Sequence, residues 1–554
     1  MNKLYYGDCL AVMQEMRLGS VDLIYLDPPW NSNRTYNAIY RDNTGRELPD
    51  QIEAFCDLWE LTPERETVIR NMPVLLAQAG VENSAVKLWQ LWMSALRHTQ
   101  PKLLAYLLYM TERLVVMKGL LKPTGSIYLH CDPTASHYIK TLMDAIFGHQ
   151  NFRNEMIWKR TSAHSSAKRW GPVHDVILFY TLTDNYKWNR VHQPYDESYI
   201  EKFYRHIDED GRQYQTGDLT GAGVRRGASG MPWRGINPTE KGRHWAPPRK
   251  FPGGEQVPKA VGDALDYLDE IGRIYWPERG GMPRFKRYLN DMKGMQMQDI
   301  MTDINRIGAH DKERLGYPTQ KPIALLRRII QASSNPNDVV FDPFCGCATT
   351  IAAAHELNRR WIGIDIAYHA IKRVTQVRLN DKYGLVEGEH YTVTGIPRTL
   401  EGAQSLWRQD KYQFQRWAVE QVNGFVTTKR TADGGIDGRL YFALPDEKQL
   451  HSMILEVKGG RHVGINTVRD LRGALERDEA TMAGLIVMEP LADRKRQNFM
   501  KEMASAGMLD VMGVEYSRMQ ILSVPEILEH RTFVTPSVAA RGTGQERLPL
   551  TDAR

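Results

Sequence analysis

Two short apolar runs, Val21–Leu26 (VDLIYL) and residues 339–341 (VVF), pass directly into Asp-Pro, and they lie far apart in the chain. Carboxylates at the carboxyl ends of strands sit where open α/β sheets bind their ligands, in the crevice left by the loops. Both runs are therefore expected to end at one cleft, which forces the chain to return to the same sheet after a long excursion. Between them, residues 85–120 read as a helical stretch, 126–130 as a strand and 176–180 as a further apolar run. Helices alternating with strands predict an α/β fold with a doubly wound, Rossmann-like sheet.

A chain of 554 residues exceeds one ordinary core, so several structural units are expected. Hydrophobic residues at 42% and charged residues at 25% predict folding nearly throughout. The formal charge of +6 tilts the chain mildly toward polyanions without identifying one. The start, MNKLYYGDCLAVMQEM, has no basic region followed by an apolar one, and no segment approaches ~18 uninterrupted apolar residues, so a cytoplasmic protein without a membrane partner is expected. Five scattered cysteines argue against a disulfide framework. Cys345 and Cys347 form the one close pair, without a second pair at zinc spacing, and read as small residues of a turn.

The segment LIYLDPPWN, residues 23–31, puts Asp27, Pro28, Pro29 and Trp30 at the end of a strand. An exocyclic amine is a poor nucleophile because its lone pair is delocalised into the ring. The Asp27 carboxylate and the Pro28 carbonyl could accept its two N–H bonds and favour a pyramidal nitrogen, with Trp30 offering a face for an extruded base. A Pro-Pro turn with Trp30 in the core explains the tetrapeptide equally well. The second segment, VVFDPFCGCATT, leads into a helix and then WIGIDI. Its tight glycine turn and helix N-terminus let backbone approach a ligand closely, and Asp365 ends the next strand where a carboxylate binds ribose hydroxyls. These features suit a nucleotide-type cofactor and leave its identity open, since dinucleotide folds use the same mechanics.

The ordered set of motifs resembles the β class of DNA amino-methyltransferases. Asp27–Pro28–Pro29–Trp30 is similar to that family's catalytic motif IV, Asp342–Pro343–Phe344–Cys345–Gly346 to its motif I, and Asp365 to motif II. Gly7–Asp8–Cys9 resembles motif III, and Tyr317–Pro318–Thr319–Gln320–Lys321–Pro322 resembles motif X. The resemblance implies direct methyl transfer from S-adenosylmethionine, bound by Asp8, Thr319, Gln320, Lys321, Asp342, Phe344, Gly346, Thr349 and Asp365. The aspartate form of the tetrapeptide resembles the adenine-N6 branch, with cytosine-N4 as the alternative. Ala348 stands where the family commonly has a second glycine, and Trp30 where tyrosine or phenylalanine is commoner.

Residues 185–300 change to Gly, Pro, Arg and Trp without periodicity and are expected to be an insertion held on the sheet, without a core of its own. Arg225, Arg226, Arg234 and Arg243 crowd there with Trp233 and Trp245, and basic groups of this kind neutralise phosphates and fork onto guanine edges. The tryptophans taken singly read better as plugs of the fold than as DNA wedges. PWRGINPTEKGRHW resembles type III adenine methyltransferases, which implies a target-recognition region and double-stranded DNA as the partner; a homodimer stays open.

Beyond residue 395 the chain carries Asp437 before a strand, then Glu456 and Lys458 two apart on the same face of the next. Two carboxylates can hold Mg²⁺ and a lysine can help activate the attacking water, whereas alternating charge on an edge strand is the plainer explanation. In context the pattern resembles the PD-(D/E)XK fold of Mrr-like restriction endonucleases, with Gln415 where the family often has glutamate and Glu420 a turn later. The expected organisation is a catalytic half over 1–184, a target-recognition insertion over 185–315, a cofactor-binding half over 316–395, a nuclease-like α/β module over 396–535 and a flexible tail over 536–554. A module that only binds DNA or a partner is the alternative. A dinucleotide-dependent oxidoreductase explains neither Asp27–Trp30 nor the basic insertion.

Overall fold

The computed structural model describes residues 1–29, 36–38, 52–55, 61, 63–133, 135–161, 168, 170–251, 256–278, 280–308, 310–315, 320–427, 436–444, 450–460 and 463–536. These form two compact units, one made of Met1–Asn189 with Asp299–Arg554, the other of Arg190–Gln298.

The first unit is built on a mixed sheet of β1 (Asn2–Tyr6), β2 (Val21–Leu26), β3 (Leu121–Cys131), β4 (Phe152–Lys159), β5 (His174–Thr181), β6 (Ile300–Met301), β7 (Val339–Asp342), β8 (Arg360–Asp365) and β9 (Tyr391–Thr394). Their order is β6-β4-β5-β3-β2-β7-β8-β1-β9. Every residue of β2 and β7 is buried, as continuous apolar strands covered on both faces must be. The two pair in parallel, Leu23 beside Val340 and Ile24 beside Phe341, so Asp27 and Asp342 emerge side by side at one sheet edge. At the opposite edge the buried Asp22 carboxylate receives the Lys122 and Lys187 ammonium groups, each at 2.7 Å, and the Val339 amide at 2.9 Å, tying the start of β7 to β2. β5 runs antiparallel to β3 and β4, which makes the sheet mixed rather than wholly parallel. The predicted helical stretch 85–120 is two helices, α2 (Asn83–Thr99) and α3 (Pro101–Leu120), after α1 (Cys9–Gln14). Pro101 lacks the amide that would continue α2 and instead starts α3.

The second unit overturns the expectation of an insertion without a core. It has a four-stranded sheet and a buried cluster that includes Leu219, Trp245, Phe251, Leu265, Leu268 and Phe285. Its strands pair residues too distant in sequence for local periodicity to register, as Tyr214 with Tyr288.

The C-terminal segment forms a second sheet in the first unit, from β10 (Phe425–Val426), β11 (Gly438–Ala443), β12 (Leu450–Lys458), β13 (Met482–Val487) and β14 (Met519–Ser523), in that order. β11 is antiparallel to β12, and β13 is parallel to both β12 and β14. The large sheet is served by α4 (Ile323–Ser333) and α5 (Thr349–Glu356), the C-terminal one by α6 (Lys411–Gln421) and α7 (Ile465–Arg477). Trp417, Phe414 and Leu455 share one hydrophobic cluster with Trp361, Ile371 and Tyr391, so the two sheets are fused through a common core. No described helix is long and apolar enough to cross a membrane.

Candidate active site

At the carboxyl edge of β2 and β7 lies a cleft walled by Tyr25, Asp27, Lys321, Asp342, Phe344 and Gly346. Gln320, Leu326, Cys345, Cys347, Thr349 and Thr350 complete it. The cleft thus joins Asp27 to Gln320, Lys321, Asp342, Phe344, Gly346 and Thr349, from segments at opposite ends of the methylase-like sequence. Pro28 is buried and Pro29 half-buried beside Asp27, whereas Trp30 and Thr319 lie outside the described residues.

Three carboxylates dominate the site. Asp27 is ion-paired with the buried Lys321 ammonium, which reaches across from the start of the α4 segment. Asp342 accepts the Phe344 amide at 3.0 Å and a hydrogen bond from Thr350, yet burial outweighs both and pushes its pKa up to about 7, with the negative charges of Asp27 and Asp365 adding to the rise. Asp365 stands behind the turn, accepting the Gly346 and Ala367 amides at 2.8 Å each, and burial raises its pKa to about 6. A nearly dry carboxylate at the wall of the cleft, Asp342, fits a ligand that brings positive charge or hydroxyl donors.

The turn itself explains its sequence. Gly346 takes φ 50° and Ala348 φ 59°, both left-handed. Alanine there costs on the order of 1 kcal/mol, so the departure from glycine leaves the loop path intact at the expense of local strain. The Gly7 amide donates to the Asp365 carbonyl at 3.0 Å, which brings the Asp8 loop beside β8. Asp8 does not line the cleft. It caps α1 through the Leu10 amide at 2.8 Å and is held by the Arg113 guanidinium at 2.7 Å.

Arg113 is one of the residues that sequence reasoning missed. It stacks on Tyr109, 3.4 Å from the ring centroid, and Tyr109 in turn meets Phe344. The signal available was an arginine between the apolar runs of a helix, at YLLYMTERLVVM.

In the C-terminal sheet, Lys458 meets the Glu456 carboxylate at 2.7 Å. Asp437 receives the Val457 amide at 2.7 Å, and its charge, with those of Glu456 and Asp470, bears on Lys458. Burial raises the Glu456 pKa, partly offset by Lys458. The triad therefore converges at the end of β12. No cluster of three or more His, Cys, Asp or Glu that could hold a metal occurs among the described residues. Two carboxylates and water nonetheless suffice for Mg²⁺, which keeps much of its hydration. Glu420, noted beside Gln415 as a candidate helix carboxylate, instead accepts the Tyr368 amide at 2.9 Å, and Gln413 donates to the Ile366 carbonyl at 3.1 Å. Helix α6 thus braces the loop that follows Asp365.

In the second unit, Arg225 and Arg226 are exposed. Arg243 donates to the Thr220 hydroxyl at 2.6 Å and pairs with Asp218 at 3.3 Å, and Arg234 pairs with Asp269. Trp233 and Trp245 are buried in that unit's core.

A model of the family described as DNA methylase matches residues 21–376, well over half of the chain. The chain belongs to the DNA methylase family. The matched span holds Asp27, Lys321, Asp342 and Asp365 and ends before the C-terminal sheet. Among curated relatives, the type II methyltransferase M.EcaI of Enterobacter cloacae is 37% identical over 273 residues, 49% of this chain and 56% of that one. The Mod subunit of the type III restriction-modification enzyme StyLTI of Salmonella typhimurium is 26% identical over 374 residues, 64% of this chain and 50% of that one. The DNA adenine methyltransferase YhdJ of Escherichia coli is 51% identical over 70 residues, 13% of this chain and 24% of that one. The chain spans about half the length of the first two.

Proposed function

We propose that this methylase transfers the methyl group of S-adenosylmethionine to N6 of adenine in double-stranded DNA. The observation that carries the reading is the convergence of Asp27 with Asp342 and the Gly346 turn on one cleft. Bound there, the cofactor supplies an electrophilic methyl on a sulfonium. The Asp27 carboxylate and the Pro28 carbonyl accept the two N–H bonds of the target amine, which localises its lone pair for in-line attack. Lys321, ion-paired with Asp27, orients that carboxylate for the incoming amine. Asp342 and Gly346 hold the amino-acid end of the cofactor, and Asp365 the ribose. Adenine is favoured over cytosine by the aspartate form of the tetrapeptide and by the stretch shared with the adenine enzyme of Escherichia coli. Arg225 and Arg226, exposed on the second unit, serve DNA phosphates, with Arg234 and Arg243 shaping that surface. Sequencing of DNA from a host with and without the protein should reveal N6-methyladenine at one recurrent sequence. N4-methylcytosine in its place would overturn the base assignment.

The C-terminal sheet supports a second activity, Mg²⁺-dependent cleavage of DNA, which would join restriction to modification in one chain. Asp437 and Glu456 would hold the ion and Lys458 would orient the attacking water. With Mg²⁺ and unmethylated DNA the wild-type protein is expected to cut, and Lys458→Ala to lose cleavage by at least ~100-fold while methylating normally. A wild type that cuts no DNA, or a variant that cuts as well, leaves the module as a DNA- or partner-binding domain.

A further inference from the structure

Behind the cleft runs a buried polar chain that the methyl-transfer reading does not use. The Tyr25 hydroxyl lies 2.8 Å from His130 Nδ1, and His130 Nε2 lies 3.2 Å from Asp175 Oδ2. Tyr25, His130 and Asp175 are 2%, 0% and 1% exposed, in a sheet face otherwise made of apolar and aromatic side chains. Strand register puts them together. Tyr25 pairs with Tyr128, His130 with Ile177 and Trp158 with Asp175, so the three side chains share one face of β2, β3 and β5. Because β5 runs antiparallel to β3, its first residues lie at the carboxyl end of β3, the edge from which Asp27 emerges. The imidazole is further fixed by Trp158, whose ring meets it edge-on at 5.8 Å and whose indole N–H donates to the Ile304 carbonyl at 2.8 Å.

The chain has a direction. Burial would raise the Asp175 pKa, but the His130 hydrogen bond and charge, with Lys321 and Arg160, bring it below the usual carboxylate value. An ionised carboxylate only accepts, so His130 Nε2 carries a proton toward Asp175, and Nδ1 shares a hydrogen bond with the Tyr25 hydroxyl. The Tyr25 hydroxyl is thereby anchored to the buried imidazole, and its ring is set as a wall of the cleft that also holds Asp27. Burying a His–Asp pair is costly relative to apolar packing, so its place against the reaction cleft calls for a return in positioning.

We propose that His130 and Asp175 are positioning residues for methyl transfer, acting through Tyr25 to hold the floor of the cleft on which Asp27 and the target amine meet. This rests on the methyl-transfer reading above. Tyr25→Phe removes one hydroxyl, and Asp175→Asn removes the charge while keeping the shape. Each is expected to lower kcat at least ~10-fold with KM for S-adenosylmethionine changed no more than about twofold, and the double variant should fall no further than the worse single one. Nitrogen NMR of the imidazole in the protein without cofactor gives a readout apart from turnover. It should show a protonated Nε2 and a hydrogen-bonded Nδ1, the latter shifting in Tyr25→Phe. If Asp175→Asn fails to fold, Tyr25→Phe still decides through its kcat and Nδ1 shift. Additive losses, a kcat unchanged in folded Tyr25→Phe, or an Nδ1 resonance indifferent to the hydroxyl would overturn the relay alone. A wild type that transfers no methyl to any DNA overturns the methyl-transfer reading and the relay with it.

Discussion

Asp27→Asn is expected to slow methyl transfer by about 10²–10⁴-fold while S-adenosylmethionine binding changes little. Asp27 is the carboxylate of the cleft that lies at the end of β2 and is paired to Lys321, whereas the Gly346 turn follows β7. Asparagine keeps its size and one acceptor but puts an amide N–H against either Lys321 or the incoming amine. The amine then loses the anionic acceptor that stabilises it as positive charge develops on nitrogen. Turnover with labelled cofactor, alongside calorimetric titration of the same cofactor, separates the two effects. A variant that binds cofactor normally and methylates at more than a tenth of the wild-type rate would remove Asp27 from the chemistry.

Asp342→Asn should make the protein more resistant to heat above pH 7 and at the same time abolish cofactor binding. The pKa of Asp342 is about 7 in the fold, against about 3.9 for an unfolded aspartate. Between those values the native state binds more protons than the unfolded one, so this group's contribution makes stability fall as pH rises through the window. The cost is fully present above pH 7, is on the order of a few kcal/mol, and vanishes below about pH 4. Asparagine removes the buried charge and can still accept the Phe344 amide. The difference in melting temperature between variant and wild type should therefore shrink steadily from pH 8 to pH 5. Cofactor affinity should disappear because its ammonium loses the counter-charge that offsets desolvation. A variant less stable than wild type at pH 8, or one that binds cofactor as wild type does, would show that the Asp342 carboxylate is structural.

Helix α6 bears on both expectations. Its Gln413 and Glu420 hold the loop after Asp365, so the C-terminal segment is part of the scaffold of the cofactor side of the cleft. Sequence reading placed Glu420 near a nuclease site because it counted helix turns within one module. A side chain's partner is set by what packs against the helix, and here that is the loop of a neighbouring sheet.

The sequence by itself determined the cleft. Asp-Pro after an apolar run marks the end of both β2 and β7, since proline cannot continue the ladder. That local rule sufficed to bring Asp27 and Asp342 to the same carboxyl end of the sheet, where the Gly346 turn joins them in one cleft. Tertiary structure alone decided which of these carboxylates would be paired and which left nearly dry, because Lys321 reaches Asp27 across almost the whole methylase segment. It also decided that residues 190–298 have their own core and that His130 and Asp175 meet behind Tyr25. Those contacts depend on strand order and register, which are fixed by long-range packing of the sheet and leave no periodic trace in the chain.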